Sequence, residues 1–318
     1  MYKLNLTQLD QVDSNIQYKI SKFPDGQQSV TITGIGMGSG DPVSPINLIN
    51  TKCKILSRLH TFGELELIIC ATQALRNLGV KHIELFIPYL IGARSDRKFE
   101  TGGVNYIKDV IAPIINSMGY EKVTIHTPHS DVTEACINNF HKLEIDSVVR
   151  FAIKNIIEEL GINPGDYSKI RLLSPDAGAL KRIYGAAESI GYQNEIIIAA
   201  KHRNPKTGQI THTSVPMNAT DADKHIIIID DLIDGGRTFI EIAKVIKQFQ
   251  EQCTTVQPED RGKIYLVVTH GIFSAGFTEL NKYFDGIYCT NSYVDMNNNE
   301  FSLINDNKLY KLRQLNIF

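Results

Sequence analysis

The chain has 318 residues, 42% of them hydrophobic, with 33 Lys and Arg against 35 Asp and Glu. This length suffices for two domains of ordinary size, and a formal net charge of -2 gives no general attraction to nucleic acids or anionic membranes. The apolar runs are too short to span a membrane, the N-terminus lacks a secretory pattern, and the five cysteines lack metal or redox spacing. We therefore expect a cytosolic protein with reduced cysteines.

Strand-like apolar segments alternate with amphipathic helical segments through most of the chain. The predicted strands are 83–88, 123–126, 170–174, 195–200, 226–229 and 264–269. The predicted helices between them are 63–78, 106–118, 148–161 and 177–191. This alternation is typical of parallel sheets covered by helices. We expect an α/β protein with two such domains, 1–149 and 150–318.

Two polar stretches have the composition of loops. Residues 37–45 are rich in Gly, Ser and Pro, and residues 202–213 contain Asn, Pro, Gly and several hydroxyls. The second stretch follows an Ile-rich strand and begins among cations, with Lys201 and Arg203. We expect it to form a lid over a substrate that carries phosphate.

The most informative segment, 226–239, begins with four consecutive isoleucines and a pair of aspartates, and continues into a glycine turn and the start of a helical pattern. The isoleucines fit a strand buried on both faces of a parallel sheet. Gly235 and Gly236 would form a strand-to-helix turn, where positive φ, free N–H groups and the helix dipole favour a phosphate. Asp230 and Asp231 could accept hydrogen bonds from vicinal hydroxyls. The segment predicts a sugar-phosphate site; an ordinary corner with a capping aspartate is the alternative.

Polar side chains also follow three other predicted strands. Asp176 comes just after strand 170–174, where its carboxylate could reach Mg²⁺ or a ribose hydroxyl, or could cap the next helix. His129 follows strand 123–126 and is either a ligand-binding residue or an ordinary loop histidine. Residues 94–98 form a dense charge cluster, which would either contact phosphates or face solvent.

Taken in chain order, these segments resemble the ribose-phosphate pyrophosphokinase (PRPP synthetase) family. The similarity to type I phosphoribosyltransferases is in the ribose-phosphate loop, 226–239. The similarity to the pyrophosphokinases adds two nucleotide-contacting segments, a metal and ribose segment, a catalytic loop and two late motifs: 23–26, 88–98, 174–182, 201–203, 269–274 and 290–292. Short matches in the right order are more specific than any one of them.

The resemblance implies two phosphoribosyltransferase type I-like domains, each a mainly parallel sheet flanked by helices. It implies that the protein transfers the diphosphoryl group of MgATP to the anomeric hydroxyl of ribose 5-phosphate, releasing AMP, as a step of nucleotide biosynthesis. It also implies a homo-oligomer built from dimers, such as a hexamer.

The resemblance further implies roles for individual residues. Lys201 and Arg203 would stabilise the transition state, and His129 and Asp176 would contact the metal, with His129 also among the catalytic residues. The residues implied to contact ATP are Phe23, Asp25, Arg94, Ser95 and Asp96. The residues implied to contact the acceptor are Asp176, Asp230, Asp231, Asp234, Gly235, Gly236, Arg237 and Thr238.

The sequence departs from the family pattern at several of these positions. Residues 127–128 are Thr-Pro before His129, where the family has Asp-Leu, and Ser95 replaces a Gln. In the 5-phosphate loop Gly235 stands in place of a Thr, and Arg237 adds a guanidinium, whose fork suits the additional oxygens of a diphosphate. ADP-ribose, an acceptor in NAD-related metabolism, is therefore an alternative to ribose 5-phosphate.

Two further alternatives belong to other classes. A non-catalytic regulatory homologue is opposed by the presence of Lys201, Arg203 and Asp176. An ordinary phosphoribosyltransferase, which consumes PRPP, is opposed by the second nucleotide site implied around Phe23 and Arg94.

Overall fold

The computed structural model describes residues 1–7, 14–36, 48–203, 210–296 and 312–318, and at 201–203 and 210–211 only their backbone. The chain forms two compact units, Met1–Leu143 with Phe318, and Glu144–Ile317. Each unit contains a parallel sheet accompanied by helices, which confirms the predicted α/β class. Within the described residues, no helix combines the length and the apolar character needed to cross a bilayer.

The first unit contains a parallel sheet in the order β1-β4-β5-β6-β7 and a separate antiparallel hairpin, β2–β3. The sheet strands are Tyr2–Asn5 (β1), Lys52–Leu56 (β4), His82–Ile87 (β5), Lys122–His126 (β6) and Phe140–Leu143 (β7), and the hairpin strands are Ile16–Lys22 (β2) and Gln28–Ile35 (β3). The helices are Phe62–Asn77 (α1), a π-helical turn Ile107–Ile111 that continues as Ala112–Ser117 (α2), and Asp131–Cys136 (α3).

The hairpin is an element that our sequence analysis did not predict. Apolar residues alternate along both of its strands, and Asp25-Gly26 lies between them, a combination that is a strong hairpin signal. Gly26 adopts the left-handed φ of 97° that the turn requires. The hairpin is attached to α1 by Gln28, whose side-chain amide donates a hydrogen bond to the Gly63 carbonyl at 3.0 Å.

The second unit contains a parallel sheet in the order β15-β14-β13-β12-β8-β9 and a second hairpin, β10–β11. The sheet strands are Ile170–Ser174 (β8), Ile197–Ile198 (β9), His225–Ile233 (β12), Ile264–Gly271 (β13), Gly286–Thr290 (β14) and Leu312–Leu315 (β15), and the hairpin strands are Ala200–Arg203 (β10) and Ile210–Ser214 (β11). The helices are Asp146–Leu160 (α4), Leu180–Ile190 (α5), Arg237–Gln252 (α6) and Leu280–Tyr283 (α7).

Both faces of the second sheet are covered. Because side chains alternate along a strand, Ile227 and Ile229 pack with α4 and α5 on one face, while Ile226 and Ile228 pack with α6 on the other. This explains why four consecutive isoleucines are fully buried. The two cores bring the amino ends of α5 and α6 to the edge where β8 and β12 end.

Two sequence predictions differ from the structure. The predicted strand 195–200 is only the short β9, because the chain leaves the sheet and Ala200 begins the separate hairpin. The division between the units falls between Leu143 and Glu144, earlier than the expected 149/150. A boundary at 149/150 would cut through α4, whose buried face belongs to the core of the second unit.

Candidate functional site

The candidate acceptor-binding residues lie at the carboxyl edge of the second sheet. β8 and β12 are adjacent and parallel, with Leu173 opposite Ile228. Asp176 therefore follows the end of β8 at the level where Asp230 continues β12. In parallel α/β sheets this edge is where ligands bind.

Asp230 and Asp231 form a cluster with Arg182 of α5. Arg182 Nη1 lies 3.4 Å from Asp230 Oδ1 and 3.4 Å from Asp231 Oδ1. The backbone N–H of Asp231 donates to Asp230 Oδ1 at 2.8 Å. Burial and the adjacent Asp231 carboxylate raise the pKa of Asp230 well above its usual value, while Arg182 opposes the rise. Arg182 thus contacts both carboxylates, and carboxylate oxygens are suitable acceptors for the hydroxyl groups of a sugar.

Arg182 is a site residue that our sequence analysis did not select. Arg182 is the last residue of the sequence motif 174–182, in which the sequence assigns a binding role to Asp176 alone. The position of Arg182 near the start of α5 could have indicated a binding role. The first turn of a helix that follows a parallel strand lies at the carboxyl edge of the sheet, where ligands bind.

Asp176 organises the turn between β8 and α5. Its Oδ1 accepts hydrogen bonds from the backbone N–H groups of Gly178 at 3.0 Å and Ala179 at 3.2 Å, and its own carbonyl accepts one from Ser174 Oγ at 2.6 Å. These bonds hold the turn before α5, but the N-cap residue of that helix is Ala179, so Asp176 is not the helix cap that was the alternative from the sequence. The turn places this carboxylate at the same edge as the aspartate pair, where it remains a candidate for binding a ribose hydroxyl or a metal.

The turn between β12 and α6 is held by Asp234 and Gly236. Asp234 Oδ1 accepts a hydrogen bond from Ser274 Oγ at 2.5 Å. Gly236 has the left-handed φ of 79°, whereas Gly235, expected to share this conformation, does not adopt it. A Cβ at Gly235 would meet nothing closer than Ser274 Oγ at 3.8 Å, so this position has space for a larger residue. α6 then runs for 16 residues from Arg237, which gives the turn a long helix dipole.

Arg237 and Thr238 open α6. The Arg237 side chain is exposed and forms no ion pair with any residue in the described part of the chain. Thr238 is half-buried on the same turn. An exposed guanidinium at the amino end of a helix is available to an anionic ligand.

The predicted lid lies mostly outside the described residues. The backbones of Lys201 and Arg203 belong to β10, opposite Thr213 and Ile210 of β11. Their side chains and residues 204–209 lie outside the description, as does the other predicted loop, 37–45.

The candidate ATP residues of the first unit lie on a hairpin tip and a turn. Phe23 is 50% exposed beside the β2–β3 turn, where Asp25 Oδ1 accepts the Gln27 N–H at 3.1 Å. Arg94 is exposed in the turn that follows β5. Ser95 and Asp96 are half-buried, and their carbonyls accept hydrogen bonds from the Tyr106 N–H and the Asn105 side chain.

His129 is exposed on the loop after β6. The chain turns sharply at Thr127, which has a φ of 41° and donates its N–H to the Leu143 carbonyl at 2.7 Å. His126, the last residue of β6, is 2% exposed.

No group of three His, Cys, Asp or Glu side chains that could hold a metal ion occurs among the residues that the structure describes. The two residues predicted to contact the metal lie in different units, His129 in the first and Asp176 in the second. Mg²⁺ commonly binds through one or two carboxylates together with substrate phosphates. The carboxylate of Asp176 fits such a site. Its oxygens are hard ligands, which Mg²⁺ prefers, and they lie at the carboxyl edge of the sheet.

The sheet, the paired aspartates and the glycine turn before α6 resemble the ribose-phosphate site of type I phosphoribosyltransferases. In agreement, the model of the phosphoribosyl transferase domain matches residues 139–256. The ribose-phosphate pyrophosphokinase of Thermococcus kodakarensis is 26% identical over 284 residues, which cover 87% of this chain and 86% of that protein. The ribose-phosphate pyrophosphokinase of Haemophilus ducreyi is 25% identical, covering 80% of this chain and 71% of that protein.

A solved structure extends the similarity to nearly the whole fold. The crystal structure of phosphoribosylpyrophosphate synthetase from Mycobacterium smegmatis superposes with a TM-score of 0.68 and 17% identity, covering 95% of this chain and 86% of that one. Over most of its length the chain is therefore similar to ribose-phosphate pyrophosphokinases, which are transferase enzymes.

Proposed function

We propose that this protein transfers the diphosphoryl group of MgATP to the anomeric hydroxyl of ribose 5-phosphate, producing PRPP and AMP. The observation that carries the proposal is the edge of the second sheet, where Asp230, Asp231 and Arg182 lie beside the turn that opens α6. Carboxylates suit the ring hydroxyls, and the helix start suits the 5-phosphate. The similarity to ribose-phosphate pyrophosphokinases supports the same chemistry.

In the proposed reaction, the anomeric oxygen forms a bond to the β-phosphorus of ATP and loses its proton. The bond from the β-phosphorus to the oxygen bridging it to the α-phosphate breaks, and AMP leaves. Such transfers depend on positioning and electrostatics. Asp230 and Asp231 would orient the ring, and the Gly235–Thr238 turn would bind the 5-phosphate. Lys201 and Arg203 would neutralise charge that develops on the transferred group.

On the nucleotide side, we propose that Phe23 and Asp25 contact the adenine and that Arg94, Ser95 and Asp96 contact the phosphates. The exposure of Phe23, Asp25 and Arg94 on a hairpin tip and a turn supports a role as binding residues. In the second unit Asp176 would hold Mg²⁺, and in the first unit His129 is the proposed metal contact. The metal, when bound, would polarise the phosphate oxygens. We also propose a homo-oligomer built from dimers.

A larger acceptor, ADP-ribose, is the second candidate. It presents the same anomeric hydroxyl with a diphosphate at C5, and two observations favour it. Arg237 is exposed without an ion pair among the described residues, and Gly235 leaves open space beside Ser274. Both features suit a group with more phosphate oxygens than a monoester.

The test is to incubate the protein with MgATP and either ribose 5-phosphate or ADP-ribose, and to identify the products by mass spectrometry. The proposal predicts AMP and a pyrophosphorylated acceptor in equal amounts. The ratio of kcat/KM for the two acceptors distinguishes the two candidates. Stoichiometric ADP, or pyrophosphate released without an acceptor product, would contradict both.

A further inference from the structure

Arg182 contacts both Asp230 and Asp231 at the carboxyl edge of the second sheet. We infer that Arg182 is a positioning residue that keeps Asp230 and Asp231 as a pair of hydrogen-bond acceptors for two adjacent sugar hydroxyls. The inference rests on the proposed function, since it concerns the same acceptor site.

The contact geometry supports a shared electrostatic role. A single nitrogen, Arg182 Nη1, lies 3.4 Å from one oxygen of each aspartate. A hydrogen bond of this length is weak, so the contact acts mainly through charge attraction. The three side chains are 13%, 18% and 5% exposed for Arg182, Asp230 and Asp231, so the cluster is largely shielded from water. Removing one partner from such a cluster leaves a poorly solvated charge.

The surrounding elements contribute other titratable groups. Asp176, beyond β8, directs Oδ1 toward the amides of its own turn. His270 of β13, opposite Leu232, shares a hydrogen bond at 2.8 Å between its Nδ1 and Ser292 Oγ. Asp231, on the same strand, repels the charge on Asp230, and Arg182 of α5 is the cation that opposes this repulsion.

Loss of the guanidinium would change what Asp230 can bind. The pKa of Asp230 is already raised by burial and by Asp231, and removing the opposing cation raises it further. Protonation turns one carboxyl oxygen into a hydrogen-bond donor, so Asp230 would then offer fewer acceptor sites to the hydroxyl groups of the sugar. Arg182 therefore sets the lower pH limit for binding the sugar.

Arg171 provides a matched control in the same unit. Its Nε contacts Asp221 Oδ1 at 2.9 Å, with side chains 22% and 6% exposed. Arg171 lies near the amino end of β8, opposite Ile226, so its ion pair is away from the carboxyl edge. Arg171→Gln removes an ion pair of similar burial without changing the aspartate pair.

The experiment measures AMP formation over a range of ribose 5-phosphate concentrations, from about pH 5.5 to pH 9, for wild type, Arg182→Gln, Arg182→Lys and Arg171→Gln. Calorimetric titration with ribose 5-phosphate in the absence of ATP is run on the same proteins and needs no turnover. For Arg182→Gln we expect the acceptor KM to rise on the order of tenfold, with the KM for ATP unchanged. The acid limb of kcat/KM should move up by about one pH unit or more.

Arg182→Lys, which keeps the charge, should retain the wild-type acid limb, and Arg171→Gln should retain both the acid limb and the acceptor KM. An acid limb that is the same in wild type and Arg182→Gln, or equal losses in Arg182→Gln and Arg182→Lys at every pH, would overturn the inference. If wild type binds ribose 5-phosphate but forms no AMP, the proposed function fails, and the pH dependence of binding still decides the role of Arg182. Absence of ribose 5-phosphate binding at every pH would overturn both.

Discussion

The two units differ in how far their charged candidate residues are exposed to solvent. In the second unit β12 carries two aspartates within its nine residues, Arg182 lies against them, and a 16-residue helix follows. In the first unit β6 ends after five residues, a six-residue helix follows, and the charged candidates Asp25 and Arg94 are exposed. In the second unit the longer strand β12, which continues past its isoleucines, thus places a shielded ionic cluster at its carboxyl end.

This difference suggests a division of tasks. A shielded cluster can hold a neutral sugar ring in one orientation, whereas exposed groups on a hairpin and a turn suit a highly charged, solvated nucleotide. Substitutions in the second unit should then alter turnover or the use of the acceptor, and substitutions in the first unit should alter the use of ATP.

The largest effect is expected at the β10 cations. Lys201→Ala or Arg203→Ala should lower kcat by on the order of a hundredfold or more and change the KM for ATP much less, because each cation would act on charge developing in the transition state. Steady-state kinetics tests this, with Lys244→Ala on α6, an exposed cation paired with Glu241, as the control. Unchanged turnover in both variants would remove these residues from the mechanism.

A substitution in the first unit should have the opposite kinetic signature. Arg94→Ala should raise the KM for ATP on the order of tenfold and leave the acceptor KM nearly unchanged, because a charged contact to phosphate is worth about 1.5–3 kcal/mol. Lys52→Ala is the control, since Lys52 pairs with Glu84 at the opposite, amino edge of the same sheet. A larger change in the acceptor KM than in the KM for ATP would contradict this division of tasks between the units.

The aspartate cluster should also reduce stability in a pH-dependent way. The folded state raises the pKa of Asp230, so it binds a proton more readily than the unfolded chain does, and its stability falls as pH rises toward the raised pKa. Asp230→Asn should therefore stabilise the protein relative to wild type, increasingly from about pH 4 upward, with about 1.4 kcal/mol for each unit of pKa shift. Denaturant unfolding at several pH values measures this difference.

Asp166→Asn serves as a control of opposite sign. Hydrogen bonds from the Ser168 side chain and backbone lower the pKa of exposed Asp166, so its contribution is present above its unfolded pKa and is lost as pH falls. Its removal should give a small loss of stability at neutral pH. A pH-independent difference between wild type and Asp230→Asn would show that Asp230 carries no electrostatic strain.

The smallest effect concerns the choice of acceptor. Arg237→Ala should lower the acceptor kcat/KM a few-fold with little change in the KM for ATP, and the loss should be larger with ADP-ribose if the guanidinium contacts a diphosphate. Gly235→Thr, for which the structure has space, should favour ribose 5-phosphate by restoring a hydroxyl donor. Equal kinetics in wild type and Arg237→Ala with both acceptors would make ribose 5-phosphate the preferred assignment.

The elements with strong periodicity were predictable from sequence. The isoleucine strand and its following helix were correctly expected because burial on both faces demands a continuous apolar run. The β2–β3 hairpin was missed although Asp25-Gly26 marks its turn, and strand 195–200 was too long because apolar composition alone cannot show where a chain leaves a sheet.

The site was predictable only in part, because some of its contacts depend on tertiary structure. The strand-end positions of Asp176 and Asp230 follow from the rule that ligands bind at the carboxyl edge. The bridge from Arg182 and the bond from Ser274 to Asp234 join residues 40 or more positions apart in the chain. Their partners could not be read from local patterns. Gly235 shows the same limit of sequence-based prediction. A glycine can adopt a positive φ, but Gly235 does not adopt one in this turn.

The central claim is most directly tested by the fate of the β-phosphate of ATP. ATP labelled at both the β- and γ-phosphates is incubated with Mg²⁺, ribose 5-phosphate or ADP-ribose, and the wild-type protein, and the products are separated. We predict that both labels appear together on the acceptor as a diphosphoryl group and that the AMP is unlabelled. Transfer of the γ-label alone, with labelled ADP as the other product, would contradict the account.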